Sequence, residues 1–152
     1  MFGWILGKKK HTAKEEVQPF HHGKTLTLHW DGDSEGWTCP LPAQGRNARL
    51  YLGAEHPSPE ACALMLEIRE CIPDLNDTAL SYLLHHEEVV DFVRTVHKHA
   101  VTRDSFLLTG AELFEHYDEG SYSLSYEATF DPGAIWKVDF THHEPEGWGF
   151  DG

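Results

Sequence analysis

Alternating apolar and polar residues between positions 122 and 140 constrain the fold of this chain more than any other feature. Alternate positions are apolar from Tyr122 to Phe130 and, beyond residues 131–133, again from Trp136 to Phe140. The residues between them are serine, threonine, glutamate, lysine and aspartate. This pattern predicts two strands with one buried face each. We therefore expect an antiparallel hairpin whose turn is Asp131-Pro132-Gly133.

Shorter segments extend the predicted sheet on the N-terminal side. Residues 24–30 and 47–53 alternate in the same way, and each predicts a half-buried strand. Residues 35–41 predict an edge strand, because Pro40 and Pro42 cannot donate hydrogen bonds to a central ladder.

Helix signals lie between these strands and the hairpin. Ser58 followed by Pro59 is typical of a helix start, and Pro73 is expected to end that helix, with Asp74 capping the next. Residues 109–112, Thr-Gly-Ala-Glu, match a capping box and predict a further short helix.

The order of strands, helices and strands predicts an α+β fold. We expect an antiparallel sheet of about five strands with roughly two to four helices packed on one face and a polar second face. A chain of 152 residues suits one domain. We assign residues 24–152 to this single α+β domain and residues 1–23 to a flexible N-terminal tail. Residues 146–150 are expected either to add an edge strand or to lay Trp148 across the sheet.

Charge separates the predicted tail from the domain. The formal net charge is −13, but the residues through Lys24 carry five lysines and two glutamates, which leaves seven basic and 23 acidic groups beyond them. Residues 104–151 hold eleven acids and one base, Lys137. Such a field disfavours nucleic acid and favours a basic protein partner. It also leaves open a DNA-mimic inhibitor, whose carboxylates replace phosphates.

The first residues and the cysteines bear on the cellular compartment. Six largely apolar residues precede Lys8-Lys9-Lys10, which reverses the order of a secretory signal and is too short for stable membrane insertion. The three cysteines, Cys39, Cys62 and Cys71, have no zinc-ligand spacing and do not suggest a disulfide framework. These features predict a cytoplasmic protein.

The motifs searched for favour binding over catalysis. Gly32 and Gly36 are explained as turn residues, and no cysteine lies beside an obvious activating residue, so we expect no enzyme and no cofactor. Histidines are abundant, but adjacent residues on a helix diverge by about 100° and make poor joint ligands. We therefore expect no metal. The alternative is a small metal-dependent hydrolase using His85, Glu88 and His142.

The closing segment, residues 130–140 together with residues 147–152, resembles the final hairpin of small uncharacterised bacterial domains. Some such domains are encoded beside secreted toxins and act as immunity proteins. The resemblance rests on a turn and alternating apolar positions, and it carries over no functional residue. It implies a bacterial, cytoplasmic protein that binds and blocks a toxin.

These observations predict a non-enzymatic protein-binding module, an immunity protein that neutralises a more basic toxin or effector. Acidity and nearness to predicted loops select the candidate partner-binding residues, while the oligomeric state stays open. These residues are Asp118, Glu119, Glu144, Glu146, Trp148 and Asp151.

Overall fold

The fold consists mainly of a mixed β-sheet and two α-helices. The computed structural model describes residues 16–17, 20–21, 24–42, 47–114 and 120–152. The strands are β1 (Glu16–Val17), β2 (Phe20–His21), β3 (Lys24–Thr25), β4 (Leu28–Asp31), β5 (Gly36–Pro40), β6 (Arg49–Gly53), β7 (Phe106–Phe114), β8 (Ser121–Ala128), β9 (Asp131–Thr141) and β10 (Glu144–Asp151). The helices are α1 (Pro59–His85) and α2 (Glu87–Val96), followed by a short 3-10 turn (Arg103–Ser105).

Seven strands, β4 to β10, lie side by side in chain order, and β1 extends this sheet beside β4. Every neighbouring pair is antiparallel except β6 and β7, which are parallel. Parallel neighbours require a long crossover, which α1 and α2 supply. The expectation of about five antiparallel strands is therefore too low in number and misses the parallel pair.

Little of the predicted tail can be compared with the structure. Residues 1–15, 18–19 and 22–23 lie outside the described residues. Of the others, Glu16–Val17 pairs with β4, and Phe20–His21 pairs with β3. The boundary at residue 23 stays a prediction.

Helix α1 begins as predicted but does not end at Pro73. The Ser58 hydroxyl accepts a hydrogen bond from the N–H of Ala61 (3.1 Å), and Pro59 occupies the first turn. The helix then continues through Pro73 to His85. The buried residues Ile68, Ile72, Leu75, Ala79 and Leu83 recur at helical spacing on both sides of the proline. Burial of this continuous stripe outweighs the local cost of the proline, so the predicted helix end is wrong.

Replacing Pro73 by alanine is expected to raise the free energy of unfolding by about 1–3 kcal/mol. An interior proline leaves the carbonyl four residues earlier, at Arg69, without its helical donor, and alanine restores that donor. Pro73 is exposed, so the substitution removes little packing. Urea denaturation of both proteins measures the difference. A loss of stability in Pro73→Ala would contradict a continuous α1.

Two further predictions are wrong, one of a helix and one of an edge strand. Residues 109–112 lie in β7, where a bulge between Leu108 and Gly110 shifts the alternation by one position and hides the strand pattern. The strand predicted at an edge, β5, lies between β4 and β6, and Pro40 is tolerated because it is the last residue of β5.

The hairpin of β8 and β9 is confirmed, but its turn differs from the prediction. Ala128 pairs with Asp131, so the turn residues are Thr129 and Phe130. The register then shifts at the start of β9, where Gly133 has a φ of +90°. Asp131-Pro132-Gly133 therefore begins the strand instead of forming the turn.

The sheet has two faces of different character. The helix face carries the alternate residues that pack towards α1 and form the core, among them Leu50, Leu52 and Val138. The open face carries the residues between them, including the neighbours Glu112, Ser123 and Asp139. It is polar as predicted, although Ser123 and Ser125, which were expected to face water, are buried.

Candidate functional site

The last strand of the sheet, β10, carries four of the six predicted partner-binding residues: Glu144, Glu146, Trp148 and Asp151. Asp118 and Glu119 lie outside the described residues. Sequence spacing alone did not place the four together on one strand at the border of the sheet.

The four residues do not share one face of β10. Trp148 is opposite Val138 and lies on the helix face, whereas Asp151 is opposite Ile135 and lies on the open face. Glu146 also reaches the open face, where its carboxylate accepts a hydrogen bond from the Thr141 hydroxyl (2.6 Å). A partner that touches all four must therefore contact the border of the sheet, from which both faces are accessible.

On the helix face, β10 contributes to a cluster of aromatic rings. The indole of Trp136 is fully buried at its centre. Trp148 stacks on Trp136 with 5.7 Å between ring centroids, and Phe150 stacks on it at 4.9 Å. Phe92 of α2 contacts Phe150 in turn, at 5.1 Å. The cluster thus packs Phe150 of β10 against α2.

Apolar side chains remain exposed beside this cluster. Phe150 is 42% exposed and Val96 is 57% exposed. Val96 lies one helical turn after Phe92, on the same side of α2. We call Phe150, Phe92 and Val96 the apolar patch. An aromatic side chain that is fixed from beneath and exposed above is typical of an interface anchor.

The open face of β10 is acidic and sparsely covered. Lys137 lies 3.3 Å from Glu112 and 3.7 Å from Asp151, so its charge is already paired. A Cβ atom added at Gly149 would meet nothing within 4 Å. The backbone at Gly149 is therefore accessible from this side, and the strand carries carboxylates near both of its ends.

The turn before β10 is fastened to helix α1. His142 and His143 both have positive φ, 51° and 65°, as a two-residue hairpin turn requires. The His143 ring lies between the Tyr122 hydroxyl, 2.8 Å from Nδ1, and the Glu67 carboxylate, 2.9 Å from Nε2. Neutral histidine satisfies both contacts when Nε2–H donates to Glu67 and Nδ1 accepts from Tyr122. This bridge fixes where the acidic start of β10 lies.

The bridge could not be predicted from the sequence, because its residues are far apart in the chain. The only local signal was the pair of adjacent histidines between two strand patterns, which is unusual for a tight turn.

The residues of the alternative metal site are not brought together. The Nδ1 atom of His85 lies 2.8 Å from the Ser81 carbonyl of its own helix. Glu88 is an exposed residue in the first turn of α2, whereas His142 is in the turn between β9 and β10. Across the described ranges, no three histidine, cysteine, aspartate or glutamate side chains are placed to hold one ion.

A shallow cleft of about 430 Å³ opens between α1 and the start of β7. Pro73 and Phe106 contribute to its walls, and the ion pair of Arg103 with Asp77 lies at its rim. Asn76 also lines the cleft, and its side-chain oxygen accepts a hydrogen bond from the Tyr126 hydroxyl (2.8 Å). None of the four predicted partner-binding residues that the structure describes lines this cleft.

Two buried tyrosines are expected to make the fold sensitive to alkali. Burial raises the pKa of Tyr122, with further contributions from Cys71 and Glu67, and burial likewise raises the pKa of Tyr126. In the unfolded chain both ionise near pH 10. Stability is therefore complete below about pH 10 and falls above it, by up to about 1.4 kcal/mol per pH unit for each tyrosine.

Urea denaturation between about pH 9 and pH 11 measures this dependence, and Tyr126→Phe is expected to reduce the slope. A free energy of unfolding that stayed constant over this range would contradict the burial of both hydroxyls.

Burial also affects Cys39 of β5. It raises the pKa of the Cys39 thiol to about 11, so this thiol is poorly reactive.

No protein-family model matches the chain, and searches of curated proteins and of solved structures returned no match. Within the described residues, no helix has both the length and the apolar character needed to cross a membrane.

Proposed function

We propose that this chain is a non-enzymatic protein-binding module that neutralises a more basic toxin or effector, as immunity proteins do. The observation that carries the proposal is the composition of β10. This one strand at the border of the sheet combines an exposed, supported aromatic side chain, Phe150, with the carboxylates of Glu144, Glu146 and Asp151.

The two kinds of side chain have different roles in this proposal. Desolvation of Phe150 and of the exposed part of Trp148 supplies affinity, because interface energy is concentrated in a few well-supported aromatic residues. The carboxylates and the net charge of −13 accelerate encounter with a basic surface and disfavour acidic competitors. Neither role requires a catalytic group.

The test uses the partner itself. The tagged chain is used to recover a binding protein from the source cells, and the complex is then rebuilt from the two purified proteins. We expect one basic partner in a fixed ratio, with an association rate that falls at least about tenfold between about 50 and about 500 mM NaCl. Failure to rebuild a complex, or an association rate indifferent to salt, would contradict the proposal.

A further inference from the structure

We propose that the partner adds an extended strand of alternating basic and apolar residues to the outer edge of β10. This inference rests on the proposed function and specifies how the binding takes place. It concerns the backbone of β10 as well as its side chains.

Backbone geometry determines which residues of β10 can accept such a strand. The N–H of His142, the residue after β9, donates to the carbonyl of Gly120, the residue before β8 (3.1 Å). The N–H and C=O groups at this position therefore point towards β8. Backbone direction alternates along a strand, so Val138 and Trp136 also direct their groups towards β8. Their partners on β10, Trp148 and Phe150, therefore do not bond to β9 and present N–H and C=O groups outwards.

The two halves of β10 differ in how well they resist strand addition. Pro145 has no N–H to offer, and a bulge between Pro145 and Gly147 distorts the first half, as is usual for protected edges. The second half, residues 147–151, contains no proline or bulge. Among the strands that the structure describes, only β9 pairs with β10. Strand addition is thus possible along the second half.

The surroundings of this half specify the side chains of the added strand. On the helix face, an apolar residue beside Phe150 would cover the apolar patch, where Phe150 and Val96 are 42% and 57% exposed. On the open face, Asp139 and Asp151 supply carboxylates. Side chains alternate between faces along a strand, so the added strand alternates apolar and basic residues.

Charge complementarity selects such a strand over a second copy of this chain. Two copies paired through β10 would bring together two surfaces that each carry Glu146 and Asp151, and each molecule has a net charge of −13. Like charges across an interface oppose association, whereas lysines in the added strand would pair with these acids.

The probe is a fluorescent, end-blocked peptide of about eight residues that alternates lysine and valine, long enough to span a typical strand. Fluorescence anisotropy measures its binding to the full chain. Two reference peptides have the same length: one contains the same residues in blocks, and the other replaces lysine by glutamate. We expect binding of the alternating basic peptide and at least about tenfold weaker binding of both references.

The decisive comparison is Phe150→Pro with Phe150→Ala. Both remove the aromatic ring, but only proline also removes the outward N–H, and edge positions whose N–H faces solvent tolerate proline. We expect Phe150→Pro to bind the peptide about fivefold more weakly than Phe150→Ala, as the loss of one backbone hydrogen bond predicts. Equal affinities in the two folded variants would overturn strand addition.

A second variant keeps the test independent of proline. Gly149→Trp places a large side chain on the open face, where nothing lies within 4 Å of the new Cβ, without changing the outward groups of β10. Peptide affinity that is retained within about fivefold, the range of a cross-strand side-chain contact, supports pairing at the edge. Loss of binding means that the peptide lies across the open face and overturns the inference.

These outcomes are separable from the fate of the proposed function. No binding of the alternating peptide, or a dimer of the chain that Phe150→Pro disrupts, overturns the basic strand as the occupant. The proposed function would still be judged by the salt-dependent complex with the purified partner. Conversely, peptide binding with no rebuilt complex supports strand addition and contradicts neutralisation of a basic partner.

Discussion

Replacing Trp136 by alanine is expected to lower the free energy of unfolding by about 3–5 kcal/mol, the usual cost of removing a buried tryptophan. The Trp136 ring is fully buried and lies within 5.7 Å, between centroids, of both Trp148 and Phe150. Its Nε1–H also donates to the Asp131 carboxylate (3.3 Å). The substitution removes the support beneath β10 together with this donor.

Urea denaturation measures this effect, and Trp148→Ala provides the comparison. Trp148 stacks on the same ring but is only partly buried, so its loss is expected to cost about 1–2 kcal/mol. We expect Trp136→Ala to have the larger of the two effects. A smaller effect of Trp136→Ala than of Trp148→Ala would show that the cluster is not centred on Trp136.

The second large effect concerns the rate of partner binding. Reversing three charges in the variant Glu144→Lys, Glu146→Lys, Asp151→Lys is expected to slow association with the basic partner at least about tenfold at low salt. The dissociation rate should change less, because exposed charges at the rim act mainly on encounter. Stopped-flow fluorescence at about 20 mM salt measures both rates.

A control variant separates local charge from total charge. Asp33→Lys, Asp74→Lys, Asp104→Lys changes exposed acids outside β10. Each substitution adds two units of charge, so both triple variants have a net charge of −7 instead of −13. We expect the control to slow association by less than about threefold. Equal slowing in the two variants would mean that β10 is not the surface that the partner approaches.

The sequence predicted those parts of the fold in which local pattern and burial agree. The start of α1 at Ser58 was found because one hydroxyl satisfies a nearby backbone N–H. The hairpin of β8 and β9 was found because one face of each strand is buried. The prediction was wrong where tertiary contacts compete with a local signal. Helix α1 continues through Pro73. The bulge at Thr109 interrupts the alternation of β7, so the capping-box pattern there wrongly predicted a helix.

The position of the candidate residues in the fold could be predicted only in part, for the same reason. Acidity and nearness to loops selected Glu144, Glu146, Trp148 and Asp151, which all lie on β10. Local sequence could not show that Trp148 faces away from the acids, because that depends on the register of β10 against β9. The bridge from Glu67 to His143 joins residues 76 positions apart, so no local sequence pattern predicts it.

Hydrogen exchange of the chain, alone and in complex with its purified partner, shows whether β10 is the surface that the partner covers. We expect binding to slow exchange at the outward-facing amides of Trp148 and Phe150, with little change along the exposed side of α1. Slowed exchange around the cleft between α1 and β7, with β10 unchanged, would contradict this expectation.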